Sequence, residues 1–263
     1  MSLQIIIILI LNFIISVIGT LAYSIRLVGV RTGKIAITLS VFNILTLVSR
    51  IAVTFQSPLL TKLVENNSNN SSLIGTFNLI IVISGIATIV AAFFLPTFQR
   101  IFYKGVLSFS VDKSICRLVM HSFSKAGINY IKDSIAIPVK ENITKINYKK
   151  IPKRITIYNL IAVSCITTGS LAPIYAGIIA PDLRATCITL SSIINGTATI
   201  LMSIFIDPEL SVMTDDVIEK KCTEQDFRTC IMAMVGSKVI GTFAAVLFFI
   251  PSSYLIVYIA KII

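Results

Sequence analysis

The sequence predicts an all-α polytopic integral membrane protein, a single helical membrane domain over residues 1–263 with six transmembrane helices. Three observations carry this. Hydrophobic residues make up 55% of the chain and charged residues 13%, and mean hydropathy is +0.90, whereas soluble domains are roughly a quarter charged. Six windows, at about 3–25, 35–60, 73–95, 155–180, 185–206 and 235–260, are long and apolar enough to cross a hydrocarbon core. The connections between them alternate between basic and nearly neutral, as the positive-inside rule requires of a chain that crosses repeatedly.

The first window has no basic segment ahead of it and is longer than the apolar region of a signal peptide, so it reads as a retained helix. Arg26, Arg31 and Lys34 follow with no acid, which places that connection in the cytoplasm and the N-terminus outside. Gly29-Val30-Arg31-Thr32-Gly33-Lys34 looks like a phosphate-binding loop at a glance, but its glycine spacing is one short and Ile35 replaces the Ser/Thr that would hold magnesium. It is a basic turn between helices.

The second window contains Arg50 in an otherwise uncharged stretch from Ile35 to Leu60. A mid-membrane arginine costs about 2.5–3.5 kcal/mol on insertion scales unless a partner, polar cavity or anion offsets it. Ser40, Asn43, Arg50, Thr54 and Ser57 recur at helical spacing with Thr46 beside them. That stripe is expected to face protein or a water-filled passage, since lipid cannot satisfy it. The competing reading is an arginine that ties the bundle together through a neighbour's carbonyls. Residues 61–72 carry only Lys62 and Glu65 in an Asn/Ser run and are expected outside. The glycosylation-type patterns there are of the kind chance produces in such a run.

After the third window, residues 96–154 hold twelve basic side chains against Asp112, Asp133 and Glu141 and account for much of the net charge of +11. This connection is expected in the cytoplasm against anionic membrane lipids, not nucleic acid. Leu107, Val111, Ile115 and Leu118 recur at helical spacing, with Lys113 and Arg117 turned away, which predicts an amphipathic helix in the interface. The segment beyond Pro138 reads as loop.

Gly169, Pro173 and Gly177 in the fourth window, and Ser237, Gly241 and Ala245 in the sixth, are spaced for close helix approach. A break at Pro173 lining a site is the sharper alternative to ordinary packing. The fifth window adds Ser192, Asn195, Thr199 and Ser203, ending at Asp207-Pro208 before a mixed-charge connection from 207 to 234. Asn43, Thr54 and Gln56 on the second helix and Asn195 and Thr199 on the fifth are thus candidate walls of one polar seam. Asp207, Lys238, Gly169 and Pro173 are candidates for coupling or gating.

Catalytic chemistry lacks its residues. No paired carboxylates lie in the windows, and the single histidine, His121, is in the basic connection. The five cysteines, Cys116, Cys165, Cys187, Cys222 and Cys230, form no CxxC pair and read as reduced thiols, so neither a metal nor another cofactor is expected. A hydrophilic seam with cations at its inner mouth describes a carrier of an anionic substrate.

Two blocks of sequence narrow this. Thr20 to Lys34, followed by Ser40-Val41-Phe42-Asn43, Ser49-Arg50 and Phe55-Gln56-Ser57-Pro58, forms the first. Asp207-Pro208, Thr214-Asp215-Asp216-Val217, Asp226-Phe227-Arg228, Val235-Gly236-Ser237 and Gly241-Thr242 form the second. Both resemble the Amj (alternate to MurJ) family of lipid II flippases over essentially the whole length. The resemblance implies a bacterial cytoplasmic-membrane protein that carries lipid II, the polyprenyl-pyrophosphate-linked peptidoglycan precursor, to the outer leaflet. The family pattern places an acid just before the Thr20 run, where this chain has Gly19. Under this reading Arg26 and Arg31 gather the pyrophosphate at the cytoplasmic mouth, and Arg50, about 22 Å deeper along its helix, receives it in the outer half. The alternatives are a secondary transporter of another anionic or lipid-linked substrate and a non-transporting membrane partner of the cell-wall machinery. Oligomeric state is not legible.

Overall fold

The computed structural model describes residues 3–66, 70–112, 125–136 and 151–263. Its helices are α1 (Leu3–Thr32), α2 (Ile35–Glu65), α3 (Asn70–Asp112), α4 (Lys125–Asp133), α5 (Lys153–Ile179), α6 (Arg184–Thr189), α7 (Ser191–Leu201), α8 (Asp207–Ile218) and α9 (Glu224–Ile262). Six segments are long and apolar enough to cross a membrane, the fifth being the composite Pro181–Ile218. This is a multi-pass helical membrane protein.

α1 and α2 form a tight hairpin. Gly33 takes φ +64°, a left-handed conformation that ends α1 without steric penalty, and α2 starts two residues later. Gly29 lets the arms close until a Cβ there would meet Thr38 at 3.3 Å. α9 and α5 approach as the small-residue spacing predicts. A Cβ on Gly241 would lie 2.7 Å from the Leu160 carbonyl oxygen, which is backbone and cannot yield. Ser164 Oγ donates to the Gly241 carbonyl across the same contact.

α1, α3, α5 and α9 make the core. Where they meet near the Asn/Ser end, Phe77, Tyr175 and Phe249 stack with ring centroids 5.3–6.0 Å apart. Near the opposite end Leu27, Ile155, Phe227 and Met234 are fully buried. α2 lies mainly on α1, and the fifth span lies mainly on α5. Both flanking elements leave most of their length outside the protein core. Leu247, Phe93 and Ile240 present an apolar outer surface, the requirement for contact with lipid chains.

The sequence-based boundaries need three corrections. The region 207–234, read as a connection, is nearly all helical, and only 219–223 separate α8 from α9. Thr223 makes that restart, its side chain accepting the Asp226 N–H in a turn that also holds Glu224. Irregular geometry falls in the fifth span and not at Pro173, through which α5 runs unbroken. A π-helical turn, Met202–Ile206, precedes α8, whose first turn holds Pro208, so the hydrogen-bond ladder is reset where proline supplies no N–H. Finally, α3 continues to Asp112 and takes in Leu107 and Val111 as part of a spanning helix. The remainder of the expected interfacial helix, Ile115 and Leu118, and also Cys116, His121, the 67–69 part of the Asn/Ser run and the segment after Pro138, lie outside the described residues.

The described parts of the basic and mixed-charge connections gather at one end. Arg31 Nε donates to Glu224 at 2.7 Å, linking the end of α1 to the start of α9, and Thr97 on α3 donates to the Ala136 carbonyl after α4. At the other end Gln4 donates to the Leu59 carbonyl.

Candidate functional site

Arg26 is the organising side chain. It lies near the basic end of α1, and its guanidinium donates to Asp207 at 2.5 Å, with its own side chain 9% exposed and that of Asp207 48%. The same guanidinium sits 5.2 Å from the Phe42 ring centroid on α2. One arginine therefore touches both flanking elements. It faces a pocket of 200 Å³ floored by Ile25, Arg26 and Gly29, with Leu39 and Phe42 on one wall and Ser211, Thr214 and Asp215 on the other.

Of the two sequence-predicted stripes, that of the fifth span meets Arg26 through Asp207, whereas Ser40 and Asn43 of the α2 stripe do not line this pocket. On α2, Leu39 and Phe42 line the pocket, while Ser40, Asn43, Arg50, Thr54 and Ser57 lie on an exposed face beside them. On the fifth span, Asn195, Thr199, Ser203 and Asp207 continue into Ser211 and Asp215. Along these rows Asn43, Arg50, Thr54 and Thr199 are exposed to the surroundings of the bundle. Thr54 and Thr199 donate back to their own helices, to the Arg50 and Asn195 carbonyls. Asn195 reaches across to the Gly169 carbonyl at 3.5 Å, and a Cβ on Gly169 would strike Asn195 and Ile194, so Gly169 is where the fifth span rests on α5. Pro173 is buried within α5.

Gln56 and Arg31 stand apart. Gln56 is buried on the α1-facing side of α2 and donates to Asn12 Oδ1 at 3.3 Å, while Asn12 donates to Ser84 and to the Ile80 carbonyl on α3. Arg31 lies in a second, 370 Å³ pocket at the basic surface with Gln99, Arg100, Tyr103, Tyr130 and Asp133. Arg26 and Arg31 thus do not share a site.

A third polar row, on α1, is not among the sequence-predicted stripes. Asn12, Ser16, Gly19, Tyr23 and Arg26 fall at spacings of four, three, four and three along α1. Its only signal in the apolar first window is the spacing of small and neutral polar side chains, with no charge until Arg26. Tyr23 donates to Asn159 Oδ1 at 2.9 Å, and Asn159, fully buried on α5, donates to Ser237 Oγ and the Met234 carbonyl on α9. Lys238, one residue on, extends its amine toward α1. A Cβ on Gly19 would lie 2.9 Å from Lys238 Nζ, and that nitrogen is 5.7 Å from the Tyr23 ring centroid.

Comparison with known proteins gives this arrangement a family. The family model described as Amj, Alternate to MurJ, matches residues 11–260. A curated relative, Lipid II flippase Amj of Bacillus subtilis (strain 168), is 34% identical over 247 residues, covering 93% of this chain and 92% of the relative. The chain belongs to the Amj family. No solved structure matches it.

For an Amj-family chain the chemistry on offer is ionic. The Arg26 fork is already engaged by a half-exposed carboxylate, so an incoming anion can exchange with Asp207 without stripping the guanidinium bare. Among the described residues no cluster of His, Cys, Asp and Glu is grouped to hold a metal ion.

Proposed function

We propose that this protein is a flippase that moves lipid II, or a related polyprenyl-pyrophosphate lipid, from the inner to the outer leaflet of the bacterial cytoplasmic membrane for cell-wall synthesis. The carrying observation is Arg26, set in a pocket between two flanking helical elements and paired with a carboxylate that a pyrophosphate can displace. The printed name of the relative supplies the substrate class. The polyprenyl tail stays in lipid, and the exposed rows of α2 and the fifth span offer its headgroup a polar course. The protein acts by binding and release, with no covalent step.

In this reading the basic end is cytoplasmic and both termini are outside. Cysteines placed at Lys132 and Glu65, both exposed, in a background lacking the native thiols, test the orientation. An impermeant reagent applied to intact cells should label the Glu65 site and spare the Lys132 site, and the reverse pattern would invert the assignment. The function itself is tested in a bacterium depleted of its essential MurJ-type flippase. Expression of this chain should restore growth and bring lipid II to the outer leaflet. A correctly inserted, abundant protein that fails to rescue points to another anionic substrate.

A further inference from the structure

Arg50 and Lys238 are the only charged residues inside the six apolar windows, and both are cations. Their depths coincide. Arg50 is fifteen residues from the basic end of α2 at Ile35, about 22 Å along an ideal helix, and Lys238 is fourteen from the start of α9 at Glu224, about 21 Å. Gly19, which the Lys238 amine touches, is thirteen residues from the end of α1 at Thr32, about 20 Å. The bundle therefore carries two basic side chains at one level, Arg50 on a flanking helix and Lys238 on α9 against the interior row of α1.

Neither cation has an acidic partner among the described residues. The Lys238 amine meets instead the edge of a glycine and the face of Tyr23. Arg26 follows on the same row toward the basic end, two turns from Gly19 and one from Tyr23. Cations without counterions in a membrane interior ask for an anion, and a diphosphate diester carries two ionised oxygens, one on each phosphorus.

We propose that Lys238 and Arg50 form a second, mid-membrane anion site that receives the substrate's diphosphate after it leaves Arg26, with Gly19 keeping the Lys238 amine free. The site deepens the flippase reading and rests on it for the identity of the lipid. The two positive charges match a diphosphate, so the site discriminates by charge between lipid diphosphates and monophosphates.

The test uses the full chain in nanodiscs, with fluorescent polyprenyl-diphosphate-linked and polyprenyl-monophosphate-linked sugars of the same tail and head as lipid probes and inorganic pyrophosphate as a tail-free probe. Wild type should prefer the diphosphate lipid. Lys238→Met, which keeps the length of the side chain without its charge, should weaken diphosphate binding by about ten- to a hundredfold and remove the preference. Gly19→Asp should do the same with Lys238 in place, because the new carboxylate lies against the amine and neutralises it. That variant adds an ion pair and so reads the site even where Lys238→Met inserts poorly. Diphosphate preference unchanged in both variants would overturn the proposal. Wild type that binds neither lipid but binds inorganic pyrophosphate in a Lys238-dependent way retains the anion site and removes the lipid substrate. Pyrophosphate binding insensitive to both substitutions, with no lipid bound, overturns both.

Discussion

Arg26→Ala alone should abolish rescue of a flippase-depleted bacterium, whereas Arg31→Ala should leave it close to wild type. The two arginines lie in separate pockets, and only Arg26 faces both flanking elements. Losing a charge-assisted contact to phosphate costs about 1.5–3 kcal/mol, or roughly ten- to a hundredfold in affinity. Abundance of Arg26→Ala should hold, since the Asp207 carboxylate left behind is half-exposed and water can satisfy it. Asp207→Asn runs the other way. It removes the competitor for the guanidinium, so diphosphate lipid should bind more tightly and leave more slowly, and turnover should fall while affinity rises. Binding of a labelled diphosphate lipid and its appearance in the outer leaflet, measured on the same preparations, separate the two effects. If Arg26→Ala binds and flips normally, the pocket is not the entry site.

The α2 row and the fifth-span row are readable because charge and amide groups stand out against aliphatic sequence, and the fifth-span row meets Arg26 through Asp207. What the sequence could not supply was azimuth. Helical spacing says that residues share a face, but the direction of that face depends on which neighbour the helix meets. Gln56 was grouped with Asn43 and Thr54, yet it lies on the side of α2 that meets α1 and bonds Asn12. The resemblance implies one mouth for Arg26 and Arg31, but five residues along a helix turn the second well away from the first.

Elsewhere the difficulty was local competition between signals. Pro173 reads as a break, but α5 is enclosed by α9 and the fifth span, and this packing carries the helix through it. Asp207-Pro208 reads as the end of a helix, but a proline in the first turn starts α8 as readily as it stops the preceding turn. Lys238 was visible as a charge in the sixth window, while its neighbour could be known only from the fold. A glycine has no side chain to announce that an amine will fill its place.

Replacing Arg50 separates passage from scaffold. The guanidinium is exposed on α2 and holds no acid among the described residues, so Arg50→Ala removes a charge that no described buried group depends on. Membrane abundance should therefore be unchanged or rise slightly, since an uncompensated mid-membrane arginine costs about 2.5–3.5 kcal/mol on insertion scales. Transport should fall by about ten- to a hundredfold. Arg50→Lys should keep part of the activity, because an ammonium preserves the charge but cannot grip two phosphate oxygens in the planar two-point fashion of a guanidinium. An arginine that merely ties helices together predicts the opposite signature, in which abundance and activity fall together as its partners are left unsatisfied. Quantitative membrane blots beside outer-leaflet lipid II assays decide between them. Full transport by Arg50→Ala at normal abundance would place the route of the headgroup away from the α2 row.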